Sequence, residues 1–239
     1  MGRFVDLAAL SYAEARPGVR RAAISGTDMK HMSAEAIRLA PGASYSATVP
    51  AGSDLYLYAL AGTAEIESTG ARHALAQDAF ATIAEATELT VSNRGGSAVE
   101  LISVTAPPAG SGATLSGHRG APSVVHRDAA PAVDIPDQKK RRIYFVDPAA
   151  VKSERAHAMI VEYQADTVTT MHQHPNADSL FVPLTGKVRF TFDGAAHDVG
   201  RGGATVFAAG NLHGLCVGEG RVSFLEFHIP AAYTTLRAS

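Results

Sequence analysis

Polar and apolar residues alternate in short runs along this chain, and turn residues interrupt the runs at regular intervals. In the first half the runs are AEAIRLAPG, SDLYLYALAGTAEIESTG, ELTVSNRGG and VELISVTAPP. In the second they are AMIVEYQAD, DSLFVPLTGKVRFTFDG, GATVFAAGN and RVSFLEFHIP. Alternation at period two sends successive side chains to opposite faces of a strand, and Gly, Pro and Asn mark the turns between strands. Helical periodicity is confined to short stretches such as DLAALSYAEA. The expected fold is all-β, a sandwich or barrel of many short strands.

The pattern repeats. Displaced by 124 residues, SDLYLYALAGTAEIESTGARH falls on ADSLFVPLTGKVRFTFDGAAH without a gap. Asp54 lands on Asp178, Leu60 on Leu184, Gly62 on Gly186, Gly70 on Gly194 and His73 on His197. The glycines stand where hairpins need them, so one β unit occurs twice. Its copies are expected at residues 1–107 and 139–239. A Pro/Gly/Ser/Ala-rich connection at 108–138 joins them, read as an ordered crossover as much as a tether.

Composition narrows the function classes. The chain is 46% apolar and 18% charged with a formal net charge of -2, which gives no basic excess for nucleic acid. The one basic cluster, KKRR at 139–142, reads as a solvated strand start. A single cysteine, Cys216, excludes an intramolecular disulfide and fits a reducing compartment; alternating with Leu215 and Val217, it reads as a small core residue. No segment approaches a membrane span and the N-terminus lacks a signal-peptide pattern, so a cytoplasmic location is expected.

The chemistry concentrates in MHQHPNADSLFVPLTG. His172 and His174 lie two apart and would share one strand face, converging like part of a metal site. With His213 and the surrounding glycines, this stretch resembles the cupin family of jelly-roll barrels. The family's first motif, G-x5-H-x-H-x(3,4)-E-x6-G, appears as Asp166, His172, His174, Ser179 and Gly186. Both histidines and the last glycine are present, and serine stands at the glutamate position. The second motif, G-x5-P-x-G-x2-H-x3-N, appears as Gly202, Ala208, Gly210, His213 and Val217. The resemblance implies two jelly-roll barrels in tandem with few short helices, and a metal held by His172, His174 and His213. The first barrel, with Thr48, Pro50 and Leu89 at those positions, would hold none.

Ser179 and Phe181 are expected to line the pocket. Asp178, one residue before the missing acid, recurs as Asp54 in the metal-free copy, so it reads as holding the turn before the strand. His197, partnered by His73, reads as structural. The last strand is apolar on both faces, so counting alone leaves open whether Glu226 and His228 face the interior, where they would be candidate catalytic acid/base groups. A site of three neutral ligands implies one divalent transition metal, Fe(II) by analogy, with Mn, Ni or Zn as alternatives. The resemblance then points to a dioxygenase acting on a small molecule. A non-oxidative isomerase, decarboxylase or lyase is the second reading, and a small-ligand binder with a structural or vestigial metal the third. Exposed strand edges leave room for a homodimer.

Overall fold

In the computed structural model, which describes residues 1–238, the alternating runs are antiparallel strands arranged as four sheets. The helical elements among the described residues are two 3-10 turns, Arg127–Ala129 and Pro136–Gln138. No helix among them is long and apolar enough to cross a membrane. The expected helical stretch DLAALSYAEA is not a helix. Asp6 accepts a hydrogen bond from the Ala8 N–H, Leu7 N–H donates to Gly202 O, and the strand Ala13–Arg16 follows. Val5 and Leu7 are anchored in a core far away in sequence, and that anchoring overrides a weak local periodicity.

Each half is a jelly-roll-like pair of sheets. In the first, a seven-stranded sheet centred on Asp54–Ala61, Val99–Ala106 and Ser33–Leu39 faces a four-stranded sheet, Ser44–Thr48, Glu88–Ser92, Ala64–Ser68 and Ala71–Leu75. In the second, a seven-stranded sheet centred on Asp178–Thr185, Val222–Ile229 and His157–Tyr163 faces a five-stranded sheet. The latter runs Ala195–Gly200, Lys187–Phe192, His213–Cys216, His172–Gln173 and Leu236–Arg237. Apolar side chains fill the space between the sheets of each half, with Ile66, Leu57 and Val91 in the first and Phe190, Phe224 and Met159 in the second.

A third core lies between the halves. It joins Tyr56, Tyr58, Phe80 and Ile102 to Ile143, Phe145, Leu225 and Phe227. Phe80 stacks on Phe145 at 4.6 Å, and Tyr56 and Phe80 each reach Phe227 within 6 Å. The large sheet of each half is therefore apolar on both faces, one toward its own interior and one toward its twin.

The halves also exchange strands. Gly2–Asp6 pairs with Gly203–Phe207 in the second half, while Ser123–His126 pairs with the equivalent strand Ala79–Ile83 in the first. The sheets thus do not follow the expected cuts at 107 and 138. Residues 2–6 complete the second half's sheet, and the connection contributes Ser123–His126 to one half and Ala132–Ile135 to the other. Each exchanged strand covers an edge that would otherwise present unpaired backbone.

Asp54 and Asp178 open equivalent strands and do equivalent work. Asp54 takes hydrogen bonds from Arg155 (2.9 Å), Ser153 (2.7 Å) and the backbone N–H of His118 (2.9 Å), all beyond its own half. Asp178 accepts from the backbone N–H of His31 (2.7 Å) in the first half and of Ala209 (2.9 Å) in the second. His31 and Arg155 occupy the same repeat position. The turn-holding role expected for this aspartate is therefore replaced by a reciprocal tie between halves. The side chains of Asp54 and Arg155 are 0% and 4% exposed, so removing either leaves a buried charge unpaired. Asp54→Ala is expected to destabilise the chain by about 3–5 kcal/mol, read as a lowered midpoint in urea unfolding.

Candidate metal centre

His172 and His213 face each other across adjacent strands, and His174 follows directly after the first. Their candidate ligand atoms all lie within 4.8 Å of one another, and the ring centroids of His172 and His213 are 4.5 Å apart. The Nδ1 atom of each ring meets a backbone carbonyl: Thr170 for His172 (2.8 Å), Thr234 for His174 (3.1 Å) and Asn211 for His213 (3.0 Å). A carbonyl can only accept, so each Nδ1 carries the proton and each Nε2 of a neutral ring offers its lone pair. Nε2 of His213 is buried without any hydrogen-bond partner, which is a cost unless something binds there.

Electrostatics keep His174 and His213 neutral. Burial, with His228 and His172 adding to it, pulls the pKa of His174 down to about 4. Burial chiefly, then the neighbouring histidines, pulls His213 down to about 3. Near neutral pH a metal would not have to displace a proton from either. Three imidazoles with Nε2 turned to one point, two of them buried, fit a divalent transition ion.

The strand Val222–Ile229 resolves the register that counting left open. Val222 and Phe224 pack in the second half's interior, and Glu226 and His228 follow on the same face; Leu225, Phe227 and Ile229 pack between the halves. His228 Nε2 lies 2.6 Å from Glu226 Oε1 and its Nδ1 lies 2.9 Å from Ser179 Oγ. Burial alone would raise the Glu226 carboxyl. The hydrogen bond from His228 and the positive charge of Arg142 hold it below its ordinary value instead. His228 is also 4.5 Å from His174, ring to ring, but both its nitrogens are engaged and it stands outside the three-histidine group.

These groups open onto a cavity of about 450 Å³. Phe181 lines it. Ser179 does not: it lies one layer back, buried behind His228, because its strand turns Oγ toward the His228 ring. Asp178 points to its two backbone donors and cannot serve the metal. His197 is half-buried and stacked on Phe192 at 4.4 Å, and Cys216 is half-buried. The C-terminal segment closes one side: Tyr233 stacks on His228 at 4.1 Å, and Thr235 joins Thr234 beside His174. Lys140, Arg142, Tyr163, Tyr233 and Arg237 are wall residues that sequence reasoning missed. The one available signal was the two-residue spacing of Lys140 and Arg142 inside KKRR.

Two jelly-roll units, one carrying an open three-histidine pocket, define the cupin class. Residues 159–228 match the Cupin domain model, so the second half carries a cupin domain, and the chain as a whole has the tandem cupin fold. No curated protein matches it. Among solved structures it is similar to a Pseudomonas aeruginosa protein described as glyoxylate-induced, at 16% identity with TM-score 0.78, covering 100% of this chain and 91% of that one. It is similar to salicylate 1,2-dioxygenase from Pseudoaminobacter salicylatoxidans, solved as adducts with gentisate: 11% identity, TM-score 0.76, 100% and 85% coverage. A third is the oxalate decarboxylase formate complex from Lactobacillus farciminis: 12% identity, TM-score 0.71, 98% and 88% coverage.

Replacing His172 and His174 together by Ala should remove bound metal, measured by elemental analysis of untagged protein, with the β-sheet circular dichroism unchanged. Asp178→Asn should keep the metal and instead lower stability by about 1.5–3 kcal/mol, the worth of hydrogen bonds to a charged group.

Proposed function

We propose that the protein is a metal-dependent enzyme acting on a small molecule, and that it is an Fe(II)-type dioxygenase. The observation that carries this reading is the set of three imidazoles, each held by a backbone carbonyl, with no carboxylate among them. Such a set adds no negative charge to the ion, which favours an anionic chelating substrate while leaving room for dioxygen. A bound divalent ion would supply Lewis acidity and, as Fe(II), oxygen activation. The likeness to salicylate 1,2-dioxygenase supports the reading at the level of fold.

The chain's own residues set the reaction chamber. Phe181, Tyr163 and Leu215 give the cavity an apolar wall, and the carbonyls of Thr170, Asn211 and Thr234 fix the three rings. Glu226 and His228, hydrogen-bonded to each other on the same wall, can hold or accept a proton from a bound substrate. That pair favours a second reading, a non-oxidative isomerase, decarboxylase or lyase in which Glu226 and His228 move the proton.

Oxygen consumption by Fe(II)-loaded protein, assayed with β-diketones, dihydroxybenzoates and thiols, separates the two. Uptake coupled to substrate loss is the expected result. Substrate conversion under nitrogen, without oxygen uptake in air, would replace the first reading by the second. Glu226→Gln should lower kcat by about 10²–10⁴-fold if the pair transfers a proton in the slow step.

A further inference from the structure

The basic cluster KKRR does not end as a solvated strand start. The strand Lys140–Val146 turns Lys140 and Arg142 into the wall of the metal cavity, while Lys139 and Arg141 are exposed. Arg237 joins them from the C-terminal strand, paired directly opposite His172. Three cations thus line one pocket. Among the described residues, none of the three has a carboxylate within 4.0 Å, and Nε of Arg142 is buried without a hydrogen-bond partner. Of the two acids on the same wall, Glu226 is engaged by His228 and Asp137 stands exposed.

The first half supplies an internal comparison. Arg21 faces Ile37 across its ladder as Arg142 faces Val161, and Ile37 and Val161 are the same repeat position. In the metal-free half Arg21 is neutralised by Glu35 at 3.1 Å. The repeat position of Glu35 in the second half is Met159, an apolar core residue. The arginine is present in both copies, but it is directly ion-paired only in the first; in the second Glu226 attracts Arg142 without a direct pair and is hydrogen-bonded to His228. Burial, and then the charge of Arg142, push the Lys140 ammonium below its ordinary pKa, although Glu226 and Asp137 pull the other way.

We infer that the ligand of this cavity is a small organic carboxylate, its anionic group held by Lys140, Arg142 and Arg237 and its hydrocarbon body against Tyr163, Phe181 and Leu215. Arginine's planar fork matches a carboxylate through two parallel hydrogen bonds, and the cavity is large enough for a single-ring acid. The inference names the substrate class of the proposed enzyme and rests on that reading for its catalytic meaning; the anion site itself stands on the three cations.

The test is calorimetric binding of benzoate, benzamide and phenyl phosphate to the full chain, both Co(II)-loaded and as the metal-free His172→Ala/His174→Ala variant. Benzoate should bind at least about tenfold more tightly than benzamide, and added KCl should weaken the first more than the second. Arg142→Gln should lose about tenfold or more in benzoate affinity with unchanged metal content, and Arg142→Lys should recover part of it. Benzoate binding that persists in the metal-free variant and falls on adding Arg142→Gln supports the inference even where wild-type protein proves to hold no metal. Equal binding of acid and amide, benzoate binding that vanishes with the metal, or tighter binding of phenyl phosphate than of benzoate would overturn it. Should Arg142→Gln fail to fold, Lys140→Met and the salt series read the same charge dependence.

Discussion

The reciprocal embrace of the two halves is the constraint on which the rest depends. The first half lends Gly2–Asp6 to the edge of the second's large sheet, and the connection lends Ser123–His126 to the edge of the first's. Each half opens its central strand with an aspartate that the other half's backbone or arginine satisfies. Burying a carboxylate is costly unless it is fully paired, so Asp54 and Asp178 tolerate essentially one docking geometry. The aromatic cluster of Tyr56, Phe80, Phe145 and Phe227 supplies the apolar area, and the aspartates supply the register. Neither half could present this face to water without exposing a large apolar patch.

That arrangement frees the interior of the second half for chemistry. Its strand Val222–Ile229 is buried along its whole length and serves two cores at once: odd-numbered residues pack between halves and even-numbered ones look inward. Stability can therefore be drawn from the outer face, while the inner face ends in the polar residues Glu226 and His228. The interface also fixes the backbone at Asp178, immediately before the strand that carries Ser179 and Phe181 to the site. Such rigid support is what a preorganised cluster of three unprotonated ring nitrogens needs, because free rings would relax toward water.

Much of this was legible in the sequence, for identifiable reasons. Turn glycines recur at fixed spacing because positive φ is needed at Gly62, Gly70, Gly186 and Gly194, and this exposed both the repeat and the all-β fold. His172 and His174 were legible because alternate residues of one strand share a face, and His213 because its surroundings resemble the second cupin motif. What stayed hidden depended on contacts between halves. The inward face of Glu226 was ambiguous because its strand has no solvent side. Asp178 was misread because its principal partner, His31, lies in the other half. KKRR looked solvated because charge runs usually are, and only the chain reversal at Pro136–Gln138 sets that strand beside the pocket. DLAALSYAEA failed as a helix because Val5 and Leu7 are claimed by the shared core.

The two copies diverged in a way that follows from their partnership. Thr48, Pro50 and Leu89 stand in the first where the second has histidines, and Leu89 is packed into an apolar interior. It also retains the Arg21–Glu35 ion pair, which leaves that cation satisfied within the half. A barrel whose charges are paired and whose interior is filled gains rigidity and has little to offer a ligand. Its twin is the opposite, with Met159 in place of the acid, an orphaned ring nitrogen on His213 and cations that have no carboxylate within 4.0 Å among the described residues. Each of those features costs stability in isolation. The shared core and the aspartate ties supply the stability against which those costs are set.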